Sequence, residues 1–383
     1  MRGQGTGPIL ACGLAPPRDA GEGGNLPDTA NHLARPVLAG AFEHLGGIRM
    51  KHLVSAVILA AALPVAASAQ TMQVAQFYAE HGIQPETDKH FAKLIEDATG
   101  AKFEFFWSGS LGGQGEILHL IRDGALQLGV SAPSYYASEM PVTTLLNGTP
   151  FLFKDVATAM DMQFKLSQTD ESYLAELKKM GVFPILQHGL AEIRLMCTKP
   201  VVTFEDLAGL KVRTYGYFLP KSVEALGMVP VTLAFTEIYE GLQRGVIDCV
   251  ATNYESAAAI KVQEVAKHWS DVNMGASAGP TFYTSWKNYK EGGWTPEFVA
   301  AVDKAAAEAM EFEKKAQVEA EKKALEAAAA TGVTLHAFAD QARVDEAAPD
   351  ILALWEEQQI ANGMAAETAR KIVETVRAAQ AAN

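Results

Sequence analysis

Gly209-Leu-Lys-Val-Arg213 is followed one helix-length later by Gly227-Met-Val-Pro-Val-Thr-Leu-Ala-Phe-Thr-Glu-Ile-Tyr239, and then by Gly245-Val-Ile-Asp248. The first phrase reads as a short strand. Leu210 and Val212 point to one side of it and Lys211 and Arg213 to the other, so the strand ends by presenting a guanidinium where the chain turns toward a helix. In open α/β sheets small ligands sit at the carboxyl ends of strands. The planar fork of arginine suits bidentate capture of a carboxylate, so Arg213 reads as an anion clamp. The competing reading pairs Arg213 with a carboxylate of the protein itself, Glu237 or Asp248, as a brace for the sheet.

Outward from this motif, strands and helices alternate. Val74 to Tyr78 reads as a strand and Thr87 to Thr99 as an amphipathic helix with Phe91, Leu94 and Ile95 on its apolar stripe, stopped by Gly100. Phe103 to Trp107 is a second strand, the Gly-rich turn from Gly109 to Gly115 opens a helix from Glu116 to Asp123, and Leu128 to Ser131 is a third strand. This βαβαβ order implies a mostly parallel sheet covered by helices. Helices from Asp155 to Met180, strands at Phe183 to Leu186 and Ile193 to Thr198, and a second α/β unit reaching about Ala276 follow. From Pro296 to Ala330 the Ala, Glu and Lys content reads as one long helix with a solvated face. Two more helices are expected between Val344 and Ala379, around Asn362-Gly363.

Met50-Lys-His, an apolar run from Leu53 to Ala67, and Ala67-Ser68-Ala69 before Gln70 read as a signal peptide over residues 50–69. Residues 1–49, rich in Gly, Pro and Ala, read as a non-native or disordered extension, with Met50 as the expected start and the periplasm as the expected location. Of the 32 basic and 45 acidic side chains, five and four precede Gln70, which leaves a net charge of −14 on the mature chain. A nucleic-acid partner is not expected from that balance. Nor does any later apolar run reach the roughly 18 residues of a membrane helix, so the protein is not expected to be membrane-embedded. Cys12 falls in the leader; Cys197 and Cys249 fall in expected strands. They can bridge in an oxidising compartment or stay as two buried thiols, and the buried-thiol reading is preferred because the sequence does not bring them together.

The phrases from Gly209 to Asp248, with Leu111-Gly112, Asp123-Gly-Ala-Leu-Gln-Leu-Gly129 and Pro150-Phe-Leu-Phe153 in the same order, resemble the substrate-binding proteins of TRAP transporters, the DctP-like family. The resemblance implies an α/β, two-lobed periplasmic-binding-protein-like fold with mixed sheets, hinge strands and a long helix spanning both lobes. Its expected division is 70–191 with 278–320 as lobe I and 192–277 with 321–383 as lobe II. It further implies capture of an organic acid between the lobes and delivery to TRAP membrane permease subunits driven by an ion gradient. By this resemblance Arg213 holds the carboxylate, Arg194 is a second arginine, and Phe235 covers the ligand. Thr252 or Asn253 follows the Val-Ile-Asp phrase. In the first lobe His81, Gln114 and Ser131 are expected in cleft-facing loops. Arg213-Thr-Tyr-Gly-Tyr-Phe218 departs from the valine and proline of many relatives, so Tyr215 and its neighbours are expected to line the pocket, and Cys249 replaces a usual glycine.

Two other classes compete with this reading. A binding protein of an ATP-driven importer shares the two-lobe architecture. Gly275-Ala-Ser277-Ala-Gly279 satisfies the G-x-S-x-G pattern of serine hydrolases, but Pro280 to Trp286 reads as a strand where a nucleophile elbow needs a helix. There is no H-E-x-x-H, C-x-x-C, P-loop or G-x-G-x-x-G phrase. No catalysis, metal or cofactor is therefore expected.

Overall fold

The computed structural model describes residues 71–381. The expected leader, the signal peptide with its cleavage site, and Cys12 lie outside the described residues. The chain opens with β1 (Thr71–Gln76), α1 (Ile83–Thr99), β2 (Lys102–Phe106), α2 (Ile117–Arg122) and β3 (Leu128–Ser131). Helix α1 starts four residues before the expected Thr87, because Ile83 and Pro85 are buried along with Phe91 and Ile95. Gly100 ends it in the left-handed conformation, its N–H bonded to the carbonyl of Glu96. Then follow α3 (Val156–Thr169), α4 (Glu171–Met180) and β4 (Val182–Leu190). Asp155 and Asp170 cap the two helices through their carboxylates.

The second part runs β5 (Arg194–Cys197), β6 (Lys211–Thr214), α5 (Phe218–Ala225), β7 (Val229–Thr232), α6 (Ile238–Gln243), β8 (Cys249–Thr252), α7 (Tyr254–Ala259), α8 (Val262–Val265) and β9 (His268–Ser270). The chain returns through β10 (Ser277–Ser285) and α9 (Trp286–Lys290) to α10 (Pro296–Ala330), then β11 (Thr334–His336), α11 (Gln341–Ala347), α12 (Ile351–Ala361) and α13 (Ala366–Ala381).

Two sheets result, in the orders β2-β1-β3-β10-β4 and β11-β9-β5-β8-β6-β7. Strands β1, β2 and β3 are parallel as expected, but β10 enters antiparallel between β3 and β4, so the first sheet is mixed. Strands β4 and β10 are almost wholly buried, which is why they show no alternation. The chain passes between the sheets at residues 190–194 and 270–277, where the two segments pair through Met274 N–H to Ile193 O and Ile193 N–H to Gly275 O. Phe151 and Phe153 bond to the same strip.

One expectation needs correction. Cys197 and Cys249 are a disulfide, not free thiols. Strands β5 and β8, distant in sequence, are antiparallel neighbours in a register that sets the two cysteines directly opposite. The end of the chain, expected with the second lobe, packs as follows. Helices α12 and α13 pack Leu352, Trp355, Ile372 and Val376 against Leu145, Phe153, Ala159 and Tyr173, and Trp355 donates to the carbonyl of Pro141. The apolar faces of α12 and α13 find their complement on α3 and the 141–153 loop.

Helix α10 spans 35 residues, about 52 Å at 1.5 Å per residue. Thr295 caps it and Pro296 occupies its first turn. Its buried positions tie both parts of the fold. Glu313 accepts from Gly189 N–H of β4, and Glu321 accepts from the N–H groups of Tyr254 and Glu255 at the start of α7.

Candidate functional site

The parallel strands of both sheets end at one cleft. Phe77 and Tyr78 follow β1, Ala132 and Tyr135 follow β3, Tyr215 follows β6, Phe235 follows β7, and Thr252 closes β8; all line a cavity of about 30 Å³. Gln114 joins them from the loop before α2, Asn147, Leu190 and Pro280 from the crossing segments, and Ser256 from α7. Arg213, on β6, is 2% exposed at the bottom. The rule that ligands sit at the carboxyl ends of parallel strands is thus met from both lobes at once.

Arg213 Nε donates to the carbonyl of Leu233 at 3.0 Å and Nη2 to the hydroxyl of Tyr135 at 2.9 Å, while Tyr215 lies under the guanidinium with its ring centroid 4.6 Å from Cζ. Glu237 instead caps its own helix through Ala234 N–H, and Asp248 accepts from Lys211 N–H. Among the described residues no carboxylate pairs with Arg213, so the brace reading finds no partner. A buried guanidinium without a counter-charge is costly unless something else supplies one.

The two lobes meet directly here. Phe235 N–H donates to Gln114 Oε1 at 3.1 Å, and Arg213 reaches Tyr135 as above. Tyr135 and Tyr215 stack, centroids 5.7 Å apart at 16°. Phe235 meets Phe77 and Tyr78 edge-on, at 6.0 and 5.5 Å. Gly148 (φ +63°) makes this approach feasible: a Cβ there would lie 2.3 Å from the Tyr215 hydroxyl oxygen. Burial pushes the Tyr215 phenol well above its ordinary range, so it stays neutral beside Arg213. A third contact between the lobes runs from Ile83 N–H to Glu255 Oε1, 2.8 Å.

Behind the cleft His188 of β4 is fully buried between two carboxylates, Nε2 3.0 Å from Asp88 and Nδ1 2.7 Å from Glu313. Burial alone would depress the imidazole, but the charges of Asp88 and Glu313 outweigh it and push it up to about 10. The trio locks α1, β4 and α10 together on the wall beside Leu190.

Of the residues expected from sequence, Arg213, Tyr215, Phe235, Thr252 and Gln114 converge on the cavity. The others do not line it. Arg194 turns away to the carbonyl of Asp271 and the ring of Tyr254, although its backbone pairs with Thr252. Asn253 bonds to Glu321. His81 is exposed. Ser131 is buried and donates to the Gln114 carbonyl at 2.6 Å, so it positions the Gln114 loop. Phe77, Tyr78 and Tyr135 are not among the expected residues; Phe77 and Tyr78 end the expected strand Val74 to Tyr78, which stops at Gln76, and Tyr135 follows β3, so the strand-end rule applied to both strands finds them. Ser277 is fully buried within β10, and His336 lies on β11 bonded to His268, so these two do not form a nucleophile and base pair. Among the described residues no cluster of His, Cys, Asp or Glu has the form of a metal site.

Two lobes joined by crossing strands and one long helix, closing on a guanidinium among aromatic rings, define a solute-binding protein of the two-lobed type. The chain belongs to the DctP family, the bacterial extracellular solute-binding proteins of family 7, which it matches over residues 74–358. It is 28% identical over 250 residues to the 2,3-diketo-L-gulonate-binding periplasmic protein YiaO of Escherichia coli K12, covering 64% of this chain and 74% of that protein. It is 26% identical over 292 residues to the C4-dicarboxylate-binding periplasmic protein DctP of Rhodobacter capsulatus, covering 74% and 85%. A solved TRAP periplasmic solute-binding protein from Sulfitobacter sp. NAS-14.1, with β-D-galacturonate bound, superposes with a TM-score of 0.67 at 22% identity, covering 80% of this chain and 99% of that one.

Proposed function

We propose that this protein is the periplasmic receptor of a TRAP transporter, which captures an organic acid between its lobes and hands it to an ion-gradient-driven permease. The observation that carries the reading is Arg213: a buried guanidinium at the strand-end cleft whose neighbours are a carbonyl, a phenol and a ring. Guanidinium carries five N–H donors. Two of Arg213's are spent within the protein, which leaves the Nη1 and Nη2 edge for a bidentate carboxylate. The ligand then supplies the missing counter-charge, and contacts from both lobes make closure depend on it.

The family supports the receptor role and the permease partner, and no helix of the described residues is long and apolar enough to cross a membrane. The disulfide suits an oxidising compartment such as the periplasm. Ser277, fully buried at the start of β10, is not placed as a nucleophile. The test is calorimetry with a panel of organic acids on wild type, Arg213→Lys and Arg213→Met. Loss of the clamp costs about 3–5 kcal/mol, more than a hundredfold in affinity, and lysine does not restore the fork. Met also removes an uncompensated buried charge, so the ligand-free Arg213→Met protein should melt no lower than wild type. Near-normal affinity with a collapsed melting point would refute the clamp.

A further inference from the structure

We infer that the cleft selects a flat aromatic monocarboxylate, in preference to a polyhydroxylated sugar acid or a dicarboxylate. This rests on the reading of Arg213 as a carboxylate clamp and adds the body of the ligand to it. Two observations carry it.

The first is charge. Among the described residues Arg213 is the one cationic side chain lining the cavity, since Arg194 is committed to the Asp271 carbonyl and the Tyr254 ring. A second carboxylate would enter with no cation to meet it, at the full cost of a buried unpaired charge.

The second is the wall. Phe235 meets Phe77 and Tyr78 edge-to-face, and Tyr135 and Tyr215 form a stacked pair whose Tyr215 ring carries the guanidinium. Rings favour rings in these offset and edge-on geometries. An aryl carboxylate is conjugated and flat through its whole length, so it needs less parting of the lobes than a puckered ring to enter a gap that is about 30 Å³ with the lobes in contact.

The experiment is calorimetry and thermal shift on the disulfide-intact mature protein with benzoate, 4-hydroxybenzoate, D-glucuronate, succinate and neutral benzamide. We expect an aromatic acid to bind at least about tenfold tighter than glucuronate or succinate, and benzamide not to bind. Phe235→Leu and Tyr215→Leu, which keep apolar bulk, should weaken the aromatic acid several-fold to about tenfold and leave the ligand-free melting point near wild type. Glucuronate or succinate binding more tightly, with dependence on Arg213, would overturn the aromatic class and leave carboxylate capture standing. If none of the acids bound in an Arg213-dependent way, the capture reading would fall and this inference with it.

Discussion

Glu255 and Arg213 meet the cost of a buried charge in opposite ways. Arg213 is met by neutral groups, a carbonyl, a phenol and a ring. Glu255 is pushed up to about 7 by burial, with the charges of Glu321, Glu313 and Glu86 adding to it against the hydrogen bond from Ile83 N–H. Its folded value lies above the unfolded one, so its stabilising contribution is complete below about 4.5 and is lost as pH rises through 7. Glu176, buried and likewise raised to about 7, works in the same direction. Stability should therefore fall between pH 5 and 8. In Glu255→Gln that slope should flatten, with a gain of roughly 1–3 kcal/mol at pH 8. Urea denaturation at several pH values measures both; an unchanged slope would show that Glu255 does not titrate in this range. Arg213 was legible because strand alternation alone fixes which way it points. Tyr135, which holds it from 78 residues away, was not, since no local pattern says which loop of one lobe will face which strand of the other.

Between elements, the strongest fastening is the buried trio on α1, β4 and α10. Removing His188 would leave Asp88 and Glu313 facing each other without a cation, so His188→Ala should cost about 3–5 kcal/mol at pH 7. Neutralising both acids in His188→Ala/Asp88→Asn/Glu313→Gln should recover part of it. A single-variant loss under about 1 kcal/mol would mean the trio is not charged. The bridge between β5 and β8 closes a sequence separation of 52 residues. Replacing both cysteines with alanine should cost about 2–4 kcal/mol, read as a lower urea midpoint. Element types were largely readable here, as β6, α10 and the first three strands show. Neighbours were harder. Nothing local announces that β10 will enter between β3 and β4, that β5 will lie beside β8, or that α12 and α13 will turn back onto α3. Amphipathic faces state that they need a partner without naming it.

For the molecule as a receptor, what matters is the balance between parted and joined lobes. The joined form is held by few direct links, chiefly Ile83 to Glu255, Phe235 to Gln114 and Arg213 to Tyr135. A ligand shifts such an equilibrium only by its differential affinity for the two forms. Gly148 offers a way to oppose closure while leaving Arg213 itself unchanged. A side chain there would strike Tyr215 and strain a backbone at φ +63°. Gly148→Val should weaken ligand binding by at least about tenfold, roughly 1.4 kcal/mol. It should also leave a larger radius of gyration in small-angle scattering at saturating ligand. Wild-type affinity and scattering would show that the contact between Gly148 and Tyr215 does not limit closure.

Helix α10 carries a constraint of another kind. Glu313 belongs to one lobe and Glu321 to the other, eight positions further along the same rod, about 12 Å. One residue inserted or deleted between them would rotate every later side chain by about 100°, carrying Glu321 away from the start of α7. The outward positions of this Ala, Glu and Lys-rich stretch are free to drift in identity, because solvent asks little of them. Its length is not free to drift. Over evolutionary time this segment should look permissive letter by letter and strict in its count, with gaps excluded where composition alone would suggest a linker.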